Sequence, residues 1–577
     1  MRKRIALLIF TAVWASLVLA ADPVATTQKS GQTNSVWVGI RPEPSVDGSK
    51  SSAAEYEPVD GAALFGLDYE TQSENGSLSL QLDSRGSEAQ NHTLRFDIGP
   101  IVRSITTFHR LPHNLDHDTM VNLEAATKAG RQLWHTDASP GAEYGFRLSN
   151  LDHRTEVSLG SRLTVAAIYN QQQRSGHTQA YAISHCEGCH VQSQARPIDE
   201  TTRTVGGEAT LGFDIGTFTA SFAQRDHTQD IPFVTNQYER AVHPELRTKI
   251  FDNRITYGLG EGPLPIDYRP DINKETTRLD FAMPKVAGFA LSGGGVWAQT
   301  ENSYTGMTSD YAGYNLNAAR ILPANWRLNW RGRVYTIDSD ALFIDVPDTI
   351  ASAGPQAGKT YEQVYGFDPD WTRYSVLDRD VIDSRLELAR RLGKRAGNVR
   401  VSWSYNMTDR EHYEITDDGG TETTTNVLAV AWNNRIAKRF RVDARLSHGL
   451  VENPLINLDA TCSTFTSKDV ASPLDPTAGQ YWQMRDARVG DTTASPEGWD
   501  EVRVGASYTL GRGVVSANGR WWSGSNDEGD LTDWSRERTS LAVNYAFSPN
   551  EQWSWFAGAT MFDTSTESPV CIGLFDG

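Results

Sequence analysis

The chain is short of cysteine, of surplus positive charge and of long apolar runs. Four of its 577 residues are cysteine, so a disulfide framework does not hold a chain of this length together. Lys and Arg number 54 against 72 Asp and Glu, for a net charge of −18. This acidic balance argues against nucleic acid as a partner, because phosphate binding needs a clustered basic face. No segment beyond residue 20 has about 18 consecutive apolar residues, which excludes inner-membrane helices.

The N-terminus has the pattern of an export signal. Arg2, Lys3 and Arg4 are followed by an apolar core at 5–19 and a small-residue cleavage site that ends in Ala20. This pattern predicts a cleaved signal peptide over 1–20 and therefore an exported protein. Residues 21–60 are rich in Ser, Pro and Gly and lack sustained periodicity, so we expect a flexible or plug-like segment there.

From about residue 61 onward, apolar and polar residues alternate with a period of two. Leu78, Leu80 and Leu82 alternate with polar neighbours, and the same pattern recurs at 326–334 and 502–510. Such alternation is typical of β-strands with one apolar and one polar face. It has two physical solutions. One is an antiparallel sheet packed on a core, and the other is a transmembrane barrel whose apolar face meets lipid and whose polar face lines a lumen.

The lengths of the predicted connections favour the barrel. Short turns are predicted at 214–217, 284–288, 322–325, 392–397, 433–439, 511–513 and 548–551. Long polar loops separate the strand pairs, the longest at 226–275, 338–380 and 449–500. This asymmetry is typical of outer-membrane barrels, in which the short turns face the periplasm. We therefore predict an all-β protein in which residues 61–577 form a large transmembrane antiparallel β-barrel of about 20 or more strands with long loops on one side, enclosing a lumen.

Two sets of side chains on these strands have two interpretations each. Aromatic residues near strand ends fit an interfacial girdle or are ordinary strand residues, namely Trp432, Tyr508, Tyr545, Trp553 and Trp555. Arg327, Arg331 and Arg333 share one polar face, where they either meet an acidic partner or haem propionates, or are solvated lumen charges.

The compact chemical signature of the chain is a C-x-x-C-H motif. Cys186 and Cys189 are spaced to form thioethers with haem vinyl groups, and His190 follows as an axial ligand to the iron. A disulfide between the two cysteines is the competing interpretation. A zinc site needs two more ligands, and Cys462 and Cys571 are far away in no such arrangement. With strands predicted at 163–172 and 204–213, the motif falls in a connection of about 30 residues on the long-loop, extracellular side.

Histidine placement supports a haem near this connection, because ten of the thirteen histidines fall between His109 and His243. A bis-histidine haem needs a second axial ligand, for which the candidates are His109, His113, His117, His135, His177, His185 and His227. No spacing pairs a nucleophile with a base, so we do not expect an enzyme.

Short stretches of the chain resemble the MtrB/PioB-like barrels of porin-cytochrome conduits. The similar pieces lie at 108–115 (FHRLPHNL), 186–196, 275–279 (ETTRL) and 343–347 (FIDVP). The resemblance implies a Gram-negative outer-membrane sheath and insulator in contact with outer-membrane lipid. It further implies a periplasmic multihaem c-type cytochrome in the lumen as the partner, and an extracellular cytochrome as a further candidate partner. The chain departs from the family at its C-terminus, where 570–575 is either a stunted closing strand after 551–562 or the closing strand lies beyond the sequence.

Two functions remain open on this basis. One is a conduit barrel that sheaths a cytochrome, supports electron transfer across the outer membrane and carries one haem c of its own. The other is a diffusive outer-membrane porin in which Cys186 and Cys189 form a structural disulfide in a surface loop.

Overall fold

The chain is described here by a computed structural model, in which almost every described residue belongs to a β-strand or a tight turn. The described residues are 32–41, 55–56, 61–86, 88–120, 134–185, 189–231, 234–236, 263–267, 269–345, 358–360, 362–363, 370–393, 396–411, 421–454, 456–457, 492–493, 495–527, 533–550 and 553–568. In this part of the chain, no helix has the length and apolar character needed to cross a membrane.

The strands follow one another along the whole described chain. They are β1 Gln32–Arg41, β2 Ala62–Ser73, β3 Gly76–Arg85, β4 Gln90–Ile98, β5 Val102–Asn114, β6 Trp134–Asp137, β7 Gly145–Leu159, β8 Leu163–His185, β9 Cys189–Phe213, β10 Gly216–Gln229, β11 Val234–Asn236, β12 Leu264–Ile266, β13 Ile272–Val286, β14 Phe289–Asn302, β15 Thr308–Leu322, β16 Trp326–Ser339, β17 Leu342–Ile344, β18 Trp371–Arg373, β19 Arg379–Gly393, β20 Gly397–Arg410, β21 Glu422–Ala437, β22 Phe440–Glu452, β23 Ile456–Asn457, β24 Thr492–Thr493, β25 Gly498–Leu510, β26 Gly513–Asn526, β27 Trp534–Phe547 and β28 Trp555–Glu567.

These strands form one large sheet and three small ribbons. The sheet has 22 strands. Leaving out β6, consecutive strands from β1 to β28 in this sheet pair antiparallel, so that β5 pairs with β7. β6 instead pairs parallel with β9. The ribbons β11–β12, β17–β18 and β23–β24 lie within the longest connections. The predicted all-β, large transmembrane antiparallel β-barrel is confirmed.

The two faces of the sheet differ in chemistry as the alternation predicted. Apolar side chains stand exposed on one face, with Phe222 and Leu279 each 49% exposed, Leu428 53% and Leu446 58%. Directly paired residues share a face, so the polar neighbours of these residues line the other face. Because lipid rather than water solvates such an apolar surface, the apolar face is the outside of the barrel and the polar face lines its lumen.

The connections also follow the prediction. The short turns at 214–215, 287–288, 323–325, 438–439 and 511–512 all lie at one end of the barrel. In the last of them Gly511 has a φ of +58°, a left-handed conformation that glycine adopts without strain. The connections at 230–271, 340–378 and 453–497 lie at the other end. Outward-facing Trp432, Tyr508 and Tyr545 are each within a few residues of a short turn, where an interfacial girdle is expected.

The sheet begins earlier in the chain than residue 61. β1 lies inside the stretch 21–60 that was predicted to be flexible or plug-like, and it pairs with β2 from Gln32↔Thr71 to Arg41↔Ala62. Trp37 of β1 covers Gly66 of β2, where a Cβ atom would overlap the indole ring. The predicted signal peptide at 1–20 and the stretch 570–575 lie outside the described residues. Among the described residues, β1 pairs in the sheet only with β2, and β28 pairs only with β27.

We expect a charge on the outward face to destabilise the barrel and the same charge on the lumen face to be tolerated. Phe222 faces lipid on β10, and its neighbour Ser221 faces the lumen between Glu208 and Arg278. Phe222→Arg should lower the free energy of unfolding in lipid vesicles by about 2–4 kcal/mol. Ser221→Arg is the matched control. Equal losses in urea titrations of the two variants would contradict the assignment of the faces.

Candidate functional site

The C-x-x-C-H motif lies at the tip of a long hairpin rather than in a loop. The predicted connection of about 30 residues between 172 and 204 is wrong, because β8 and β9 run on for 23 and 25 residues. They pair without a break from Leu163↔Leu211 to His185↔Cys189. About ten residues suffice to cross the membrane, so the part of β8 from Gln173 to His185 extends roughly 40 Å further, at about 3.3 Å per residue.

The haem-binding prediction itself falls largely outside the described residues. Cys186, Glu187 and Gly188 are not among them, and of Cys189 and His190 only the backbone is described. Cys189 pairs with His185, and His190 pairs with Ser184. The pairing of β8 with β9 therefore ends at His185 and Cys189, on either side of residues 186–188 in the sequence.

A small apolar cluster covers one face of the hairpin beyond the membrane. Ala180 and Ala182 of β8 pack with Val234 of β11 and Ile266 of β12, all at most 9% exposed. A hydrogen bond from Gln194 Nε2 to the Thr235 carbonyl, 3.0 Å long, joins β9 to the same ribbon. The small residues at 180 and 182 were the sequence signal for this contact, because alternate alanines on a polar strand let another element approach closely.

A buried carboxylate with three arginines fixes the base of the hairpin. Glu200 of β9 is 4% exposed and Arg196 is 3% exposed. The Glu200 carboxylate lies 2.8 Å from Arg174 Nη1, 3.0 Å from Arg269 Nη1 and 3.5 Å from Arg196 Nη2. Arg196 Nη1 also lies 2.6 Å from the Asp267 carboxylate, which follows β12. Losing one partner of such a buried group leaves a charge uncompensated, so these contacts hold the hairpin and the ribbon in one arrangement.

A second polar cluster lies on the opposite face of the hairpin, around Asp137 at the end of β6. Its carboxylate lies 2.6 Å from His117 Nε2 and accepts hydrogen bonds from the Ser139 amide at 3.0 Å and the Ser193 hydroxyl at 3.2 Å. Burial alone would raise the pKa of Asp137, but these hydrogen bonds and the nearby His117 outweigh it and lower the pKa. Burial and the charge of Asp137 raise the pKa of Tyr144, whose ring contacts the His117 ring edge-on.

Among the candidate second ligands, the backbones of His135 and His185 lie nearest to the motif. β6 pairs Trp134 with His190 and His135 with Val191. The others lie farther from the tip, and several have partners: His113 contacts Glu55, His117 contacts Asp137, and His227 contacts Thr202. His109 and His177 lie lower, on β5 and β8. Over the part of the chain with described side chains, no three His, Cys, Asp or Glu residues could together hold a metal ion.

No protein-family model matches the sequence, and no curated protein matches it. Several solved structures are similar in shape. The unliganded ferric citrate transporter FecA has a TM-score of 0.41 at 11% identity, over 94% of this chain and 79% of that one. A mutant ferric enterobactin receptor from Pseudomonas aeruginosa, in complex with enterobactin, has a TM-score of 0.46 at 9% identity, over 92% and 75%. The FrpB iron transporter from Neisseria meningitidis has a TM-score of 0.44 at 9% identity, over 90% and 73%.

At these identities and TM-scores, the similarities assign no family and no substrate to the chain. Its own sheet, with an apolar outer face, a polar lumen and short turns at one end, has the physical character of an outer-membrane β-barrel.

We expect Asp137→Asn to loosen β6 from the hairpin. The variant loses charge-assisted hydrogen bonds worth about 1.5 kcal/mol or more, so at neutral pH the amides of 191–195 should exchange with deuterium on the order of tenfold faster. Folding lowers the pKa of Asp137, so the ionised carboxylate stabilises the folded protein fully above the ordinary aspartate pKa of about 3.9. This stabilisation is lost as the pH falls below that value.

The control is Asp214→Asn, in the turn between β9 and β10, where the carboxylate is 92% exposed. The difference between Asp137→Asn and the unaltered protein should disappear in strong acid. Unchanged exchange at neutral pH would show that Asp137 does not hold β6 in place.

Proposed function

We propose that the chain is an outer-membrane barrel that sheaths a multihaem c-type cytochrome and supports electron transfer across the membrane. The observation that carries the proposal is the polar face of the 22-stranded sheet. A barrel of about this many strands has a lumen too wide for its own side chains to fill. Such a lumen needs water, a plug or another protein inside it. The sequence resemblance to MtrB/PioB-like barrels favours a cytochrome as that occupant.

A haem c of the chain's own fits the donor set at the hairpin tip. Cys186 and Cys189 would form the thioethers and His190 would ligate the iron. A bound haem of this type supplies reversible one-electron transfer. Its place, at the end of strands that continue roughly 40 Å past the membrane-spanning residues, suits exchange with an extracellular cytochrome.

The residues around the hairpin would hold this position rather than take part in redox chemistry. The Glu200 carboxylate with its three arginines fixes the base of the hairpin, and Asp137 holds β6 beside β9. β6 brings the backbone of His135 next to Val191, one residue from His190.

The second candidate function is a diffusive porin. One observation favours it: Cys189 pairs with His185, the residue that precedes Cys186 in the sequence. A disulfide between Cys186 and Cys189 would join the ends of the two strands. In that case the hairpin is a pinned surface element and the lumen carries solutes.

Purification of the full-length chain from its host membrane tests the first proposal. We expect a multihaem cytochrome to copurify and to resist protease added to the intact complex, because the barrel would shield it. Absence of any haem protein, together with size-dependent sugar flux in liposomes, would overturn the conduit and favour the porin.

A haem stain and a pyridine haemochrome spectrum test the haem assignment. After denaturing electrophoresis we expect one covalent haem per chain, lost in Cys186→Ser and kept in Cys462→Ser. We expect this loss because the haem would be attached through thioethers to both Cys186 and Cys189, beside the ligand His190. If the chain from a host with working cytochrome maturation carries no haem, the assignment fails, and thiol titration would then reveal whether the two cysteines form a disulfide.

A further inference from the structure

The lumen wall from β16 to β26 carries more arginines than carboxylates. We call this surface the arginine wall. It consists of the lumen-facing residues Arg331, Arg385, Arg400, Arg445, Arg503 and Arg520. The carboxylates on the same face of these strands are Asp383, Glu387, Asp443 and Glu501. The chain as a whole has a net charge of −18, so this excess of arginine is a property of the wall and not of the whole protein.

The arginines stand directly opposite one another across neighbouring strands. Arg331 pairs with Arg385. Arg445 pairs with Arg503, which in turn pairs with Arg520. Like charges in directly opposed positions destabilise a sheet, so the fold alone gives no reason for this arrangement.

Glu387 and Glu501 form ion pairs with arginines of the wall, and they balance only part of its charge. Glu501, 5% exposed, lies 2.7 Å from Arg503 Nη2 and 2.6 Å from Arg520 Nε. Glu387 lies 3.2 Å from Arg400 Nε and 3.6 Å from Arg385 Nη2.

Two arginines of the wall, Arg331 and Arg445, form no direct ion pair in the part of the chain that the structure describes. Arg445 donates to the Ser447 hydroxyl at 3.1 Å. Neither it nor Arg331 has a carboxylate partner among the described residues.

Several lumen-facing arginines on other strands are paired with carboxylates. On β7 and β9, Arg154 lies 2.7 Å from both Glu156 and Glu208. On β13, Arg278 is paired with Asp280. The field inside the lumen is therefore asymmetric, with its positive side along the arginine wall.

The wall also has a shape that admits a ligand group. Arg331 and Arg385 line a concavity with Ser292, Asn317 and Asn329, whose side chains add hydrogen-bond donors, and Glu387 lies at the same concavity. Guanidinium groups match carboxylates in geometry and bind them through two parallel hydrogen bonds. The arrangement fits a surface with several carboxylates better than a single small ion, because the arginines extend over several strands.

We propose that the arginine wall is the docking site for an acidic, carboxylate-bearing face of the protein that occupies the lumen. This inference rests on the proposed function and adds to it the part of the lumen that the partner contacts. Because arginines are concentrated on the strands from β16 to β26, docking there would set the rotational orientation of the partner inside the barrel.

The test uses Arg331→Gln together with Arg445→Gln, since removing these two leaves no buried carboxylate without its partner. The matched control is Arg95→Gln with Arg225→Gln, which removes the same charge from lumen-facing positions of β4 and β10. The variant Arg331→Lys with Arg445→Lys keeps both positive charges. It shows whether a loss of binding comes from the lost charge or from a folding defect at these positions.

The first measurement is binding of the trisulfonated dye hydroxypyrene trisulfonate to the detergent-solubilised full-length chain, followed by fluorescence anisotropy. We expect binding that weakens with salt, a loss of about tenfold in the double Gln variant, and less than about twofold in the control. The Lys variant should retain most of the affinity. No binding, or equal losses in the Gln variant and its control, would overturn the arginine wall as an anion site.

The second measurement is the salt concentration at which the copurified cytochrome leaves the barrel. Docking at the wall predicts release at lower salt from the double Gln variant than from its control. If the variant binds less dye but holds the cytochrome as tightly as the control, the wall binds small anions only and the docking proposal fails. If no cytochrome copurifies even with the unaltered chain, the proposed function is wrong, and so is the assignment of a cytochrome as the partner of the arginine wall.

Discussion

Every structural feature of this chain depends on backbone hydrogen bonding between neighbouring strands in a medium that offers no water. A segment that crosses the membrane must satisfy its own N–H and C=O groups, and a sheet does so only by pairing each strand with the next. The antiparallel order in the sheet meets this demand with turns as short as 438–439 and 511–512. Apolar and polar residues then alternate along each strand, because successive side chains face lipid and the lumen in turn.

The same pairing continues beyond the membrane in β8 and β9, but different forces support it there. Water competes for the backbone groups, so the hairpin relies on side chains from several connections. The ribbon β11–β12 covers one face through a small apolar cluster, and β6 pairs along the edge of β9, with Asp137 bonded to Ser193 on the other face. Glu200 and its arginines join the hairpin to the segment after β12. A motif that would be mobile in a loop is thereby given a fixed support.

The lumen and the hairpin tip are the two places where chemistry could act, and they are of different kinds. The tip holds a compact donor set of two thiols and an imidazole, suited to one covalent cofactor. The lumen wall holds dispersed charge, suited to a large partner. A barrel that sheaths a cytochrome would use both, since the partner would carry charge through the membrane and the tip would extend the path outward.

The sequence by itself determined the fold class, the turn positions and the faces of the strands. Period-two alternation at 326–334 and 502–510 was enough for this, because lipid and water select opposite side chains at every second position. The spacing of Cys186, Cys189 and His190 likewise specified a candidate donor set without any structure.

Only the tertiary structure decided which strands continue beyond the membrane and which charged side chains stand opposite one another across the sheet. In residues 173–203, apolar and polar residues do not alternate, so the local sequence did not distinguish a hairpin from a loop. The contacts of the hairpin with β6 and the ribbon β11–β12 exist only in the tertiary structure. Alternation gives the face of a residue but not its height relative to other strands. The pairing of Arg331 with Arg385, and of Arg445 with Arg503, depends on cross-strand register, which the whole sheet fixes together.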